Sequence, residues 1–94
     1  MAGAARKHLR IRVRGDVQGV GFRAATMRTA EELCISGTVC NEADGSVLIE
    51  AEGDSASLHA LVEWCRRGPR FARVDSVQSD ESEPVGYTSF QLKH

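Results

Sequence analysis

Leu9, Ile11 and Val13 alternate with Arg10, Arg12 and Arg14, so residues 8 to 14 predict a strand with one apolar and one basic face. The strand stops at Gly15. From Phe22 to Cys34, the residues Phe22, Thr26, Ala30 and Leu33 recur at helical spacing while Arg28, Glu31 and Glu32 point elsewhere, which predicts a first helix. Gly37 to Asn41 and Ser46 to Glu52 are β-prone runs joined around Asp44-Gly45, a hairpin signal. Beyond Gly53, Asp54 or Ser55 can cap a second helix whose Leu58, Leu61, Val62 and Cys65 form its buried stripe, and Gly68-Pro69 ends it. A fourth strand is expected over Val74 to Ser79, then an acidic loop from Asp80 to Pro84, then a short last strand from Tyr87 to Leu92.

This order of strand, helix, two strands, helix, strand and a short final strand suits an antiparallel sheet with both helices on one face. The expected class is α+β, a ferredoxin-like α/β sandwich. The 94 residues contain no repeat, linker or second-domain pattern and are read as one domain, 1–94, with residues 1–7 as a flexible N-terminus. In such a fold the third strand lies antiparallel beside the first, so Glu50 and Glu52 are expected to face Arg10, Arg12 and Arg14 across the open side of the sheet.

Charge narrows the choice of partner. The 12 Lys and Arg nearly balance the 13 Asp and Glu, for a net charge of −1, so no global field draws the chain to nucleic acid or an anionic membrane. A sheet of this topology binds RNA through stacking aromatics on its open face, and Phe22, Trp64, Phe71, Tyr87 and Phe90 make no such run; no nucleic-acid partner is expected. MAGAARKHLR lacks the apolar core of a signal peptide, and no stretch of about 18 apolar residues occurs, so a cytoplasmic protein without a membrane partner is expected. Cys34, Cys40 and Cys65 form no CxxC pair and His8, His59 and His94 are scattered, so neither a disulfide framework nor a metal site is expected.

The candidate chemistry lies between the first strand and first helix, in GDVQGVGF followed by Arg23, with glycines at 15, 19 and 21. Glycine permits the φ > 0 turns that aim successive backbone N–H groups into one concavity, and the next helix adds the unpaired amides and positive dipole end of its first turn. Such a pocket suits a phosphate-sized anion, and Arg23 brings a planar fork able to bind a phosphoryl group bidentately. The bland reading is a tight corner with a solvated arginine. Gly19 to Ala24 also satisfies the dinucleotide pattern GxGxxA, but that pattern needs a parallel βαβ unit, and this chain turns back into a hairpin. No GK[ST] follows the glycines, which removes the nucleotide-hydrolase loop. Asn41 shares a strand face with Gly37 and Val39, which puts it on the helix-covered side, beside the loop. Its plainer reading is the first residue of a turn.

GDVQGVGFR, GTVCN, DGSV, GPRFARVDSV and a terminal SFQL, in this order over nearly the whole chain, resemble the acylphosphatase family. The resemblance implies hydrolysis of the carboxyl–phosphate bond of acyl phosphates by direct water attack, without metal, cofactor or covalent intermediate. It assigns the amides of Gln18, Gly19, Val20, Gly21, Phe22 and Arg23, with the Arg23 side chain, to phosphate binding, and Asn41 to positioning the attacking water. Expected partners are a small-molecule acyl phosphate and inorganic phosphate, as product and competitive inhibitor, with the chain acting as a monomer. The sequence departs from the family at Cys40, where a polar residue is usual, and at Ala24-Ala25, where bulkier residues are common. Cys40 is expected to point away from the core as a bystander thiol. A non-catalytic anion-binding regulatory domain of the same fold is the alternative.

The lack of a recognisable general acid beside the loop fits this chemistry. A carboxylate leaving group has a pKa of roughly 4 to 5 and departs unprotonated, whereas a sugar or alkyl phosphate would want an acid.

Overall fold

A computed structural model describes residues 6–94. The chain runs β1 (Lys7–Asp16), α1 (Phe22–Glu32), β2 (Ser36–Asn41), β3 (Val47–Gly53), α2 (Ser55–Arg67), β4 (Arg73–Ser82) and β5 (Phe90–Leu92). The sheet order is β4-β1-β3-β2-β5, which is the ferredoxin-like arrangement with one added strand.

Alternation sets the two faces. Ile11, Val13, Val39, Val47, Ile49 and Ala51 are fully buried beneath the helices, where they meet Phe22 and Ala30 of α1 and Leu58, Leu61 and Cys65 of α2. Packing Phe22 against Trp64, ring centroids 5.5 Å apart, locks the start of α1 to α2. A Cβ at Gly68 would approach the Phe22 ring to 2.9 Å, so this glycine, at φ 71°, both ends α2 and leaves room for the ring.

The sheet is mixed, where an antiparallel one was expected: β5 runs parallel to β2, pairing Gly37 with Phe90 and Val39 with Leu92. The cause is the crossing that precedes it. β4 ends where β1 begins, with Ser82 opposite His8, and the chain then crosses to the beginning of β2. A strand entered from that end must run with β2. The expected acidic loop is also shorter, because Asp80 and Glu81 belong to β4, opposite Arg10 and Leu9. Main-chain pairing with the long β1 outweighs the low β-propensity of these residues at an exposed edge. β5 starts at Phe90 rather than Tyr87, and α1 ends at Glu32 rather than Cys34, with Cys34 held at φ 58° past the helix end. Of the expected flexible N-terminus, residues 1–5 lie outside the described residues. Arg6 donates to Ser36 Oγ at 2.6 Å and to the Glu52 carbonyl at 3.0 Å, and Lys7 opens β1.

The charges of the open face pair differently from expectation. Arg10 does meet Glu50, at 3.3 Å, but Arg12 and Arg14 turn to the β2–β3 connection, reaching Glu42 at 3.7 Å and Asp44 at 3.0 Å. Glu52 meets none of them. It is 1% exposed, and its carboxylate accepts from the backbone amides of Val85, Gly86 and Tyr87 and bonds His8 Nδ1 at 2.7 Å. His8 Nε2 lies 2.5 Å from Glu50, and the ring stacks on Tyr87. Both ring nitrogens face carboxylates, so both must donate, which requires the imidazolium. The crossing segment is thereby clamped to the sheet by a buried charge pair.

Burial opposes the charge on His8, but the hydrogen bonds to Glu52 and Glu50 prevail and raise its pKa above the ordinary 6.5. Burial likewise opposes ionisation of Glu52, yet the Val85 amide, His8 and the Gly86 and Tyr87 amides bring its pKa down to about 2. The His8 contribution to stability is therefore full below pH 6.5 and lost as pH rises through the raised value. That of Glu52 is full above pH 4.5 and lost as pH falls toward about 2. Thermal unfolding should accordingly show greatest stability from the clamp between these limits, and His8→Gln should flatten the decline above neutral pH. An unchanged alkaline decline in that variant would assign it to other groups.

Candidate active site

The register of the sheet creates the site. Val13 of β1 and Asn41 of β2 are both partners of Val47 on the strand between them, so the segment after β1 and the end of β2 emerge on the same edge of the sheet. β5, running with β2, delivers Leu92 and Lys93 to that edge as well.

The segment between β1 and α1 is shaped by Gly19 at φ 76° and Gly21 at φ 78°. Gln18, Val20 and Phe22 keep negative φ, so the backbone alternates in hand, the geometry that points neighbouring amides the same way. A Cβ at either glycine would meet nothing within 4 Å; the requirement is conformational, and the space above the segment is open. The first intrahelical bond of α1 runs from the Ala25 amide to the Gly21 carbonyl at 3.1 Å, and among the described residues the amides from Gln18 to Ala24 have no protein acceptor. The other helix of the chain shows the contrast. Asp54 caps α2, accepting from the Ser57 amide at 2.7 Å, whereas Gly21 offers α1 no side-chain cap and no acidic residue occupies its first turn. The positive end of α1 is left uncompensated by the chain itself.

Arg23, half-buried in that first turn, makes no ion pair among the described residues; its Nη1 donates to the Lys93 carbonyl at 2.7 Å. Asn41 lies on the helix-covered side, as its parity requires, and its Oδ1 is buried without a hydrogen-bond partner among the described residues. An orphaned acceptor of this kind costs about 1–3 kcal/mol and calls for a ligand or water to satisfy it. A cavity of about 150 Å³ joins these elements, lined by Gly19, Gly21, Arg23 and Asn41 on its polar side and by Val17, Phe22, Ala24 and Leu92 on its apolar side. Larger clefts exist, one of about 290 Å³ between α2 and β1 and β4, another of about 400 Å³ beside Cys34 and Tyr87. The first runs along α2, which Asp54 caps and where Arg66 pairs with Glu63, and the second lies at the far end of α1 from its first turn; chemistry weighs more than volume here.

Of the residues singled out in the sequence, Gly19, Gly21, Phe22, Arg23 and Asn41 meet in this cavity. Gln18 and Val20 do not line it with their side chains: Val20 packs on the core, and the Gln18 carboxamide turns toward the β2–β3 connection. Leu92 and the Lys93 carbonyl escaped sequence reasoning, the latter because a backbone oxygen carries no residue signature. Cys40 lies on the opposite face from Asn41, its thiol 3.5 Å from Glu42. Burial and that carboxylate raise its pKa, which lowers its reactivity.

Comparison with known proteins places the chain in a family and matches its fold. The acylphosphatase family profile matches residues 9–92. An acylphosphatase of Thermotoga petrophila is 47% identical over 88 residues, covering 94% of this chain and 98% of its own, and one of Anaeromyxobacter sp. is 55% identical over 78 residues, covering 83% and 82%. The crystal structure of acylphosphatase from Bacillus subtilis superposes with a TM-score of 0.91 at 36% identity, over 94% of this chain and 99% of that one. With the profile spanning nearly all of the described residues, the chain belongs to the acylphosphatase family.

Proposed function

We propose that the 150 Å³ cavity is where this acylphosphatase cleaves its substrate, with the amides of Gln18 to Arg23 and the Arg23 fork holding the phosphoryl group and Asn41 holding the attacking water. The observation that carries the reading is the convergence of unpartnered amides, an arginine free of carboxylates and a buried, orphaned carboxamide oxygen on one small space.

Water attacks phosphorus from the Asn41 side, the bond from phosphorus to the acyl oxygen breaks, and the carboxylate leaves with the electron pair. Among the described residues Arg23 is the one titratable group lining the cavity, and no general acid stands beside it there. None is needed, because the leaving carboxylate is already a weak base. The proton of the water passes to a phosphoryl oxygen, since a carboxamide cannot accept it. Catalysis then rests on alignment and on fixed dipoles aimed at the charge of the phosphoryl group. Donors drawn from backbone and arginine supply this without a metal or cofactor, and a cavity of this size suits a small-molecule substrate; the working form proposed is a monomer with neither nucleic acid nor membrane as partner.

Turnover of an aromatic acyl phosphate tests the reading. Hydrolysis is expected to persist in a strong chelator and to be inhibited competitively by inorganic phosphate; phosphate binding without turnover would leave an anion-sensing domain in its place. Arg23→Lys is expected to fail nearly as badly as Arg23→Ala, each losing about 3 kcal/mol or more of transition-state stabilisation, because a point charge cannot replace the fork. Near-normal kcat/KM in the lysine variant would show that charge alone suffices. Asn41→Ala should lose roughly two orders of magnitude in kcat with phosphate inhibition little changed, since it removes alignment and no charge. Parallel weakening of both quantities would move Asn41 into the phosphate pocket.

A further inference from the structure

The phosphate loop and the strand end carrying Asn41 are separate pieces of chain, and one side chain joins them. Gln18 Nε2 donates to the Glu42 carbonyl at 2.8 Å and to the Ser46 carbonyl at 2.9 Å. These two oxygens bracket the reversal between β2 and β3. The Glu42 amide donates to the Ser46 carbonyl at 2.8 Å and the Gly45 amide to the Glu42 carbonyl at 3.1 Å, so each oxygen already closes the turn when Gln18 adds a second bond to it. Asn41 is the residue immediately before Glu42. Among the described residues, no other hydrogen bond runs between the 17–24 segment and the 41–46 turn.

We propose that the Gln18 side chain is a positioning residue, a brace that sets the distance between the phosphoryl cradle and the Asn41 carboxamide. The inference rests on the roles given above to Arg23 and Asn41. The chemistry is specific to a primary amide at this reach. Two N–H bonds from one nitrogen to two carbonyls fix both distance and rotation, which a single donor would not. A carboxylate of the same length would set oxygen against oxygen. Because the brace touches the turn and not the substrate, its loss should displace the water from the line of attack while leaving the backbone amides and Arg23 to bind phosphate. A misplacement of about 1 Å in a reacting group is enough to cost on the order of a hundred-fold in rate.

The test is a cycle of Gln18→Met and Asn41→Ala, with kcat on an aromatic acyl phosphate and the inhibition constant of inorganic phosphate measured for each variant. Gln18→Met keeps the length and removes both donors; it is expected to lower kcat by about ten- to a hundred-fold with the inhibition constant changed less than about three-fold. In the Asn41→Ala background it should cost little more, because there is no longer a water to align. Gln18→Asn, which keeps the amide but shortens the reach, should reproduce the loss, and provides the same reading should the methionine variant fold poorly. Normal kcat in both Gln18 variants would overturn the proposal, as would an inhibition constant that weakens in parallel with kcat, or losses that add to that of Asn41→Ala. If Asn41→Ala alone keeps full turnover, the failure lies with the role of Asn41 itself, and the brace falls with it.

Discussion

The site depends on the register of β3 between its two neighbours. Val47 faces Val13 on one side and Asn41 on the other, so a single residue of the central strand sets β2 to end level with Val13, while β1 runs on beside β4 to Asp16. With strands about 4.8 Å apart, Val13 and Asn41 flank Val47 about 10 Å from each other, close enough for the loop after β1 to lean over the end of β2. A slip of one residue in β2 would carry Asn41 to the open face of the sheet, among the arginines, and leave the glycine loop facing a different side chain. The buried row of Ile11, Ile49 and Val39, all shielded completely from solvent, makes such a slip costly, because it would turn Val39 out of the core. The hydrophobic core thus specifies the functional geometry before any polar group contributes.

The two helices divide the electrostatic work. α2 is finished at both ends by the chain itself, with Asp54 capping its start and Arg66 and Arg67 in its last turn, and it serves packing. α1 is begun by a left-handed glycine and anchored by a buried phenylalanine, so its first turn is rigid yet its amides stay unclaimed. Rigidity matters because donors held in place need no reorganisation when charge arrives. The chain end contributes to the same stiffness: the Lys93 amide bonds the Val39 carbonyl at 2.8 Å, and the Lys93 carbonyl takes the Arg23 guanidinium. That tether depends on β5, which is delivered by the crossing segment clamped on Glu52 and His8 at the opposite end of the sheet.

Much of this was legible in the sequence where one residue type answers to one physical need. Positive φ at Gly19 and Gly21 requires glycine, and the alternation of Gly37, Val39 and Asn41 fixes which face the asparagine takes. The elements that escaped were those decided by the main chain or by tertiary company. Asp80 and Glu81 read as loop residues, and only the presence of the long β1 alongside draws them into β4. Glu52 read as a surface partner for arginine because a buried carboxylate is rare; its three amide donors lie more than thirty residues further along the chain and have no side-chain signature. The parallel β5 follows from where the crossing lands. Gln18 was singled out for its backbone amide alone, because the bonds of its carboxamide are to backbone oxygens, which look alike in every sequence.

A site built mainly from backbone donors has a consequence for how the protein tolerates change. Side chains that do chemistry by titration can be replaced one at a time, with the rest of the site left standing. Amides cannot be replaced at all, so whatever positions them carries the selective weight instead. Gly68 shows how far that weight reaches: a Cβ there would press on the Phe22 ring at 2.9 Å, on Ala72 at 3.2 Å and on Val74 at 3.3 Å. Phe22 is the first residue of α1, and displacing its ring would rotate the turn whose amides face the cavity. Stability and catalysis are therefore coupled here through packing, and substitutions that loosen the junction of α1 with α2 act on the phosphate loop without touching it.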